Sequence, residues 1–298
     1  MKIEVKKIDD TMRELNVELS GDMVKNKFDD VFGRIAKEAK IPGFRPGHAP
    51  RDIVEKRYSS AAHEQVLKEL IPDVYNQAID REKLDVIELP QITDVRLDRN
   101  HLSFKARVEV SPQINIKNYR GLKIKYRTIN ITKDDVRRSL DSLKEMRRLE
   151  AIDDSFARSL GYPNVAELEG AIEKQLFIQR QNQQKEDIEN DIIEQITKGI
   201  EFKLPKSLLS RQIEEMLKHA KVELAMRGMP REKIEEEEKR LLEKIEPEAK
   251  NQVKVYLVLS AIAKKEGIPI DDNMPRKVME FLLKEAEWQH EPASQKVS

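Results

Sequence analysis

Residues 43–50 read Gly43-Phe44-Arg45-Pro46-Gly47-His48-Ala49-Pro50, and they hold the side chains best suited to act on another molecule. The chemistry they offer is recognition. An aromatic ring and a guanidinium, here Phe44 and Arg45, are among the groups that most often anchor interfaces. Pro42, Pro46 and Pro50 restrict the backbone around them, while Gly43 and Gly47 permit the positive φ that a sharp loop needs. A loop stiffened in this way loses little entropy on docking. The same residues also read as a proline-rich turn whose Phe44 tucks into the core. From Lys40 to Arg57, five basic residues (Lys40, Arg45, Arg51, Lys56, Arg57) outnumber two acidic ones (Asp52, Glu55). That excess can touch RNA phosphate, and it reads equally well as ordinary solvated helix charge.

Residues for catalysis or metal binding are missing or scattered. The chain has no cysteine, which excludes disulfides, thiolate metal sites and thiol catalysis. His48, His63, His101, His219 and His290 show no pair at metal-ligand spacing, and His63 reads as a packed or solvent-edge residue on a helix. The run Glu235-Glu236-Glu237-Glu238 reads as a solvated helix face. No Gly-x-x-x-x-Gly-Lys-Ser/Thr, Gly-x-Gly-x-x-Gly or Gly-x-Ser-x-Gly occurs, so neither a phosphate cradle nor a nucleophile elbow is present. Binding remains. Met216, Met226, Met229, Val253, Tyr256 and Leu257 are candidates for exposed apolar strips, because flexible, polarizable thioethers and apolar helix faces suit promiscuous contact. Each also reads as packing between helices.

These residues need long elements to hold them. A charged fraction of 37%, against a typical quarter, with only 5% aromatics, suits solvated helices with narrow apolar faces. The formal net charge is zero, so no global field marks the chain for nucleic acid or membrane. The start of the chain has no basic-then-apolar leader pattern, and no run approaches the ~20 apolar residues of a membrane span. The cytoplasm is the expected compartment, and no membrane partner is expected.

The first segment reads as α+β. Ile3, Val5 and Ile8, then Leu15, Val17 and Leu19, predict two strands joined at Asp9-Asp10-Thr11. Ser20 is placed to cap a helix carrying Val24, Phe28, Val31, Phe32 and Ile35 on one stripe, which Pro42 helps to end. After Pro50 come a short helix with Ile53, Val54 and Tyr58 and a longer one from Val66 to Ile79. Thr93, Val95 and Leu97, then Leu102 to Val110 in strict alternation, predict a hairpin turning at Asp98-Arg99-Asn100. A strand follows through Ile124, Tyr126 and Thr128. Thr132 with Asp135 opens a helix to about Leu149. From Asp153 the pattern is helical: a short helix stopping at Gly161, a long one from the Asn164 cap to Gly199, and one from Pro205 to Gly228. A charged helix from Arg231 is kinked or restarted at Pro247, an apolar one stops at Gly267, and a last one runs from Pro275 through Trp288.

The octapeptide resembles the Gly-Phe-Arg-x-Gly-x-x-Pro signature of the trigger factor family, ribosome-associated bacterial chaperones, at Gly43, Phe44, Arg45, Gly47 and Pro50. As in that family, it follows a strand pair and a long amphipathic helix. Pro46 stands where some members have Lys, and His48 often aligns with a basic residue. Asn118-Tyr119-Arg120-Gly121-Leu122 resembles the family's exit from its first domain, and Ile152-Asp153-Asp154-x-Phe156-Ala157 echoes it again.

The resemblance implies an α+β ribosome-binding domain over 1–112, a linker strand and helix over 113–152, and an all-α, elongated helical substrate-binding domain over 153–298. It implies docking on large-subunit protein and RNA at the peptide exit tunnel through Gly43, Phe44, Arg45, Pro46, Gly47 and Pro50, with Lys40, Arg51, Lys56 and Arg57 beside RNA. Unfolded or nascent polypeptides would be held without ATP or any cofactor, and off the ribosome the chain would form a homodimer. Most members insert a peptidyl-prolyl isomerase domain between the helix ending near Leu149 and the Asp153 segment. Here only Glu150-Ala151-Ile152 lie between, so that domain, and enzyme activity with it, is expected to be absent. A ribosome-independent holdase or assembly chaperone, and an isomerase, remain as alternatives.

Overall fold

The computed structural model describes residues 1–42, 44–45, 48–147 and 151–291. By internal contact these fall into two units, Met1–Ile114 with Glu201–Lys254, and Asn115–Ile200 with the described residues from Val255 on. Among the described residues no helix is long and apolar enough to cross a membrane.

The first unit is built on an antiparallel sheet ordered β1-β2-β4-β3, from β1 (Lys2–Lys7), β2 (Met12–Ser20), β3 (Gln91–Leu97) and β4 (His101–Glu109). The turn after β1 is an Asx turn: the Asp9 carboxylate accepts the N–H groups of Thr11 and Met12 at 2.8 and 3.0 Å. Strand alternation puts Leu15, Val17 and Leu19 of β2 opposite Ala106, Phe104 and Leu102 of β4, all buried on one face. That face is covered by α1 (Asp22–Glu38), through Val24, Phe28, Val31 and Phe32, and by α2 (Arg51–Glu82), through Val54, Ala62, Val66, Leu70, Val74 and Ala78.

Three details depart from the pattern read in the sequence. Ser20 does not cap α1; its hydroxyl pairs with His101 Nδ1 at 3.0 Å, and Gly21 takes the cap position at φ 98°, a conformation that favours glycine. The short and long helices after Pro50 share one helical path, interrupted at Tyr58, where φ is −111° and ψ 18°. In β3 a bulge at Asp94, φ 52°, shifts the register between Thr93 and Arg96. Alternation therefore breaks: Ile92 and Leu97 pack on the core while Val95 turns to solvent.

α6 (Lys206–Met226) and the start of α7 (Arg231–Glu266) complete this unit. Pro205 sits at the N-cap of α6 rather than inside its first turn. α7 continues through Pro247 as one helix, without the expected restart. Its glutamate run is partly paired: Glu235 with Arg231, Glu237 with Arg240, and Glu238 with Lys221 of α6 at 2.8 Å.

The second unit holds β5 (Lys123–Tyr126), α3 (Lys133–Arg147), α4 (Asp154–Ser159), α5 (Val165–Thr197), the end of α7, α8 (Met274–Lys284) and β6 (Glu287–His290). Thr132 and Asp135 form the expected reciprocal cap on α3, and Asn164 accepts the Glu167 N–H to open α5. Gly199 follows the cap of α5 at φ 71°. The expected end of α3 near Leu149 lies outside the described residues. The Tyr119-Arg120-Gly121-Leu122 run is an anchor. Buried Tyr119 donates its hydroxyl to Glu266, Arg120 bonds the same carboxylate at 2.6 Å and lies over the Phe281 ring, and Gly121 N–H reaches Glu285 O. Beyond α8 the chain is not helical as the pattern through Trp288 suggested. Glu287–His290 is a strand that pairs parallel to β5, so the largely helical region carries a two-stranded sheet.

Candidate functional site

The loop joining α1 to α2 is pinned at both stems. Ala39 closes α1 by returning its N–H to Ile35 O at 2.8 Å, and Ile41 is buried in the core of the first unit. On the far side Ala49 packs against the same core, and Pro50 O accepts the N–H groups of Ile53 and Val54, the first hydrogen bonds of α2. Between the stems, Phe44 N–H bonds Ile41 O at 3.1 Å and His48 N–H bonds Arg45 O at 3.0 Å. Gly43, Pro46 and Gly47 lie outside the described residues. Phe44 is 39% exposed and Arg45 is exposed, so the ring does not tuck into the core.

Ion pairs brace the helices that carry the loop. Arg51, at the start of α2, pairs with Asp29 of α1 and with Glu55 at 2.6 Å, and Glu55 also accepts from Arg99 of the β3–β4 turn. The hydrogen bond from Arg51, helped by Arg99, holds the Glu55 carboxyl below its usual range. Further along, Glu69 of α2 receives Lys27 and Arg34 of α1 and Gln65 of its own helix, which lower its pKa to about 2. Arg51 is thus committed to carboxylates inside the unit. Lys40, Arg45, Lys56 and Arg57 are exposed and have no ion-pair partner among the described residues.

The apolar candidates divide by burial. Val253 and Leu257 are 5% and 4% exposed, Met216 and Met229 are half-buried, and Tyr256 and Met226 are 43% and 83% exposed. Met226 shares its helix face with exposed Val222, one turn earlier on α6. Sequence reasoning missed a further surface in the second unit. Phe177 and Ile178 of α5 stand exposed beside a groove of about 660 Å³, lined also by Ile129, Ile131 and Gly170. Arg180, bonded to Asn130 O, and Gln184, bonded to Arg127 O, hold the 127–131 segment against α5 to form it. The run Leu176-Phe177-Ile178 carried the signal: three consecutive apolar residues spread over more of a helix than one buried stripe covers. Among the described residues no group of three or more His, Asp or Glu side chains is placed to hold a metal ion.

Two family profiles match the chain: one described as bacterial trigger factor protein over residues 1–143, and one as its C-terminus over residues 164–297. Residues 144–163 alone lie between them. A trigger factor of Halothermothrix orenii is 22% identical over 397 aligned positions that take in 98% of this chain and 92% of the relative. An alignment longer than the chain itself means that the relative carries segments with no counterpart here. A trigger factor of Solibacter usitatus is 23% identical, covering 85% of this chain and 83% of that protein. Over 59% of this chain and 40% of the relative, one from Acinetobacter baumannii reaches 29%. Among solved structures, a chain from work on promiscuous substrate recognition in folding and assembly activities of the trigger factor chaperone has the same fold. It superposes with a TM-score of 0.55 at 14% identity, covering 96% of this chain and 100% of that one. With both profiles together spanning almost its whole length, the chain belongs to the bacterial trigger factor family.

Proposed function

We propose that this chain is an ATP-independent chaperone that docks beside the ribosomal exit tunnel through Phe44 and Arg45 and shields emerging polypeptide with exposed apolar surfaces. The observation that carries the docking half is the pairing of a solvent-exposed ring and guanidinium on a loop anchored at both stems. Such a display binds with little ordering cost. Lys40, Lys56 and Arg57, which pair with no carboxylate among the described residues, are basic groups available to RNA phosphate. Pro50 and Ile41 act as the fixed ends of the loop.

Client holding rests on the exposed members of the apolar set, Met226 with Val222, Tyr256, and the Phe177–Ile178 groove. Val253 and Leu257 serve the packing of α7. The sequence has no phosphate-cradling loop, which accords with release that does not depend on nucleotide. Only residues 144–163 lie between the two family profiles, too short a stretch for an isomerase domain, which supports a reading in which the chain acts by binding. Ribosome docking places it in the cytoplasm, with a homodimer as its form off the ribosome.

Co-sedimentation with purified ribosomes tests the reading. The wild-type chain is expected to pellet with them and the Phe44→Ala/Arg45→Ala double variant to stay behind. Suppression of aggregation without any ribosome association would favour the ribosome-independent holdase.

A further inference from the structure

We propose that the outer edge of β6 is a strand-addition site that takes up an extended segment of client polypeptide by main-chain hydrogen bonding. This rests on the chaperone reading and adds to it a mode of client recognition. Glu287 N–H bonds Leu122 O and Glu291 N–H bonds Tyr126 O, so alternate residues of β6 face β5. The N–H and C=O groups of Trp288 and His290 therefore point the other way. Among the described residues the sheet ends there: it has two strands, β6 pairs with no strand but β5, the Trp288 indole N–H donates to Leu283 O of α8 at 3.3 Å, and all four β6 residues are exposed.

An edge of this kind presents donors and acceptors at strand spacing, and an extended backbone is the partner that satisfies them in register. Recognition through the main chain is indifferent to side-chain sequence, which is what a receptor of many unfolded chains requires. The opposite edge is less open. Gln195 and Gln184 of α5 donate to Lys123 O and Arg127 O, at 3.0 and 2.7 Å. Tyr126 stands edge-on to both Trp288 and His290 and stiffens the strand from within. Trp288, half exposed, offers an incoming chain an apolar contact beside the edge. β6 is only four residues long and turns two of them outward, which limits the ladder to a few bonds. The hold is accordingly weak and reversible.

Trp288 is the only tryptophan, so the intrinsic fluorescence of the full chain reports on this edge directly. The test titrates the intact protein with an apolar nonapeptide and with two versions N-methylated at alternate residues, one in each register. Binding of the parent peptide should shift Trp288 emission and slow hydrogen exchange at the Trp288 and His290 amides. One methylated register should bind at least fivefold more weakly, and the other like the parent. His290→Pro, which deletes one outward donor at an edge position that tolerates proline, should weaken the parent peptide several-fold. Equal affinity of all three peptides, with no amide protection in a protein that still suppresses aggregation, overturns strand addition and leaves the chaperone reading standing. Failure to suppress aggregation and to bind any peptide overturns both. Protection of the same amides without peptide, rising with protein concentration alongside a doubled mass, identifies a second copy of the chain as the occupant and overturns the proposal.

Discussion

The Glu109 carboxylate, at the end of β4, accepts the backbone N–H of Ser207 at 2.8 Å, and its second oxygen accepts that of Lys206 at 2.6 Å. α6 has no side-chain cap from its own N-cap residue, Pro205, so a sheet residue about a hundred positions upstream closes it instead. A negative group at this end also meets the positive end of the helix dipole. Lys203, just before the helix, pairs with Asp9 of the first turn, and it lowers the Asp9 pKa together with the Thr11 N–H. Glu109→Ala should therefore lower the stability of the first unit by about 1 kcal/mol, the usual worth of a cap. Hydrogen exchange at Lys206 and Ser207 should rise more than at mid-helix positions, and uniform loosening would contradict the assignment.

Replacing Phe44 and Arg45 together by alanine should weaken ribosome association roughly a hundredfold, equal to about 2.7 kcal/mol, because paired aromatic and arginine anchors dominate such interfaces. The unfolding midpoint should barely move, since neither side chain is buried. Wild-type affinity in a folded double variant would remove the loop from the interface.

The brace between α1 and α2 should be pH-dependent through Glu69. Its folded pKa of about 2 lies below the ordinary carboxylate value, so the charged form is the one that Gln65, Lys27 and Arg34 stabilise. The contribution is complete above about pH 5 and is lost as pH falls from the ordinary value of about 4.3 towards 2. Thermal midpoints of the wild type should fall over that interval more steeply than those of Glu69→Gln. Parallel profiles would show that the pair network adds nothing measurable.

Apolar lining and apolar core should separate on substitution. Phe177→Ser and Ile178→Ser sit at exposed positions and should change stability by about 0.5 kcal/mol or less while weakening suppression of client aggregation. Leu257→Ala, at a position 4% exposed, should instead cost about 2–4 kcal/mol. Light scattering of a denatured test protein, read beside urea midpoints, decides the matter, and loss of stability in the Phe177 and Ile178 variants would place that surface in the core.

No acceleration of proline-limited refolding is expected from substoichiometric amounts of the pure chain. The uncatalysed barrier of about 20 kcal/mol needs a dedicated pocket, and residues 144–163 cannot build one. Turnover in such an assay would place a catalytic site elsewhere in the described fold.

Much of the architecture was legible because its signals are local. The alternation of Leu102 to Val110, the Thr132–Asp135 cap and the Asn164 cap each lie within a few residues, and each folds as read. Where structure and sequence pattern part at Ser20, β3 and β6, the decisive partner is distant or unpatterned. Ser20 is drawn away from α1 by His101, 81 positions on, and the bulge at Asp94 reverses an alternation that the sequence shows as continuous. The sequence reads β6 as helix because its partner, β5, lies far upstream and parallel pairing leaves no hairpin signal. At the loop, residue types and spacing point to Phe44 and Arg45, whereas exposure, which separates an anchor from a core ring, is set by tertiary packing that no local pattern records. The α5 groove depends on how Asn130 and Arg127 are held against Arg180 and Gln184, and no periodicity records that.

The pairing of β5 with β6 also sets an order of events in the chain's own biogenesis. Arg127 and Glu291, which extend that pairing, are 164 positions apart, and closing such a loop costs about 4–5 kcal/mol of chain entropy before any ladder forms. The four-stranded sheet is complete once residue 109 has been made, so it can assemble while synthesis continues. The small parallel sheet must wait for its last strand to be translated. Until then Ile124 and Tyr126 lack their partner strand, and the half-made protein exposes the kind of segment that its family exists to shelter.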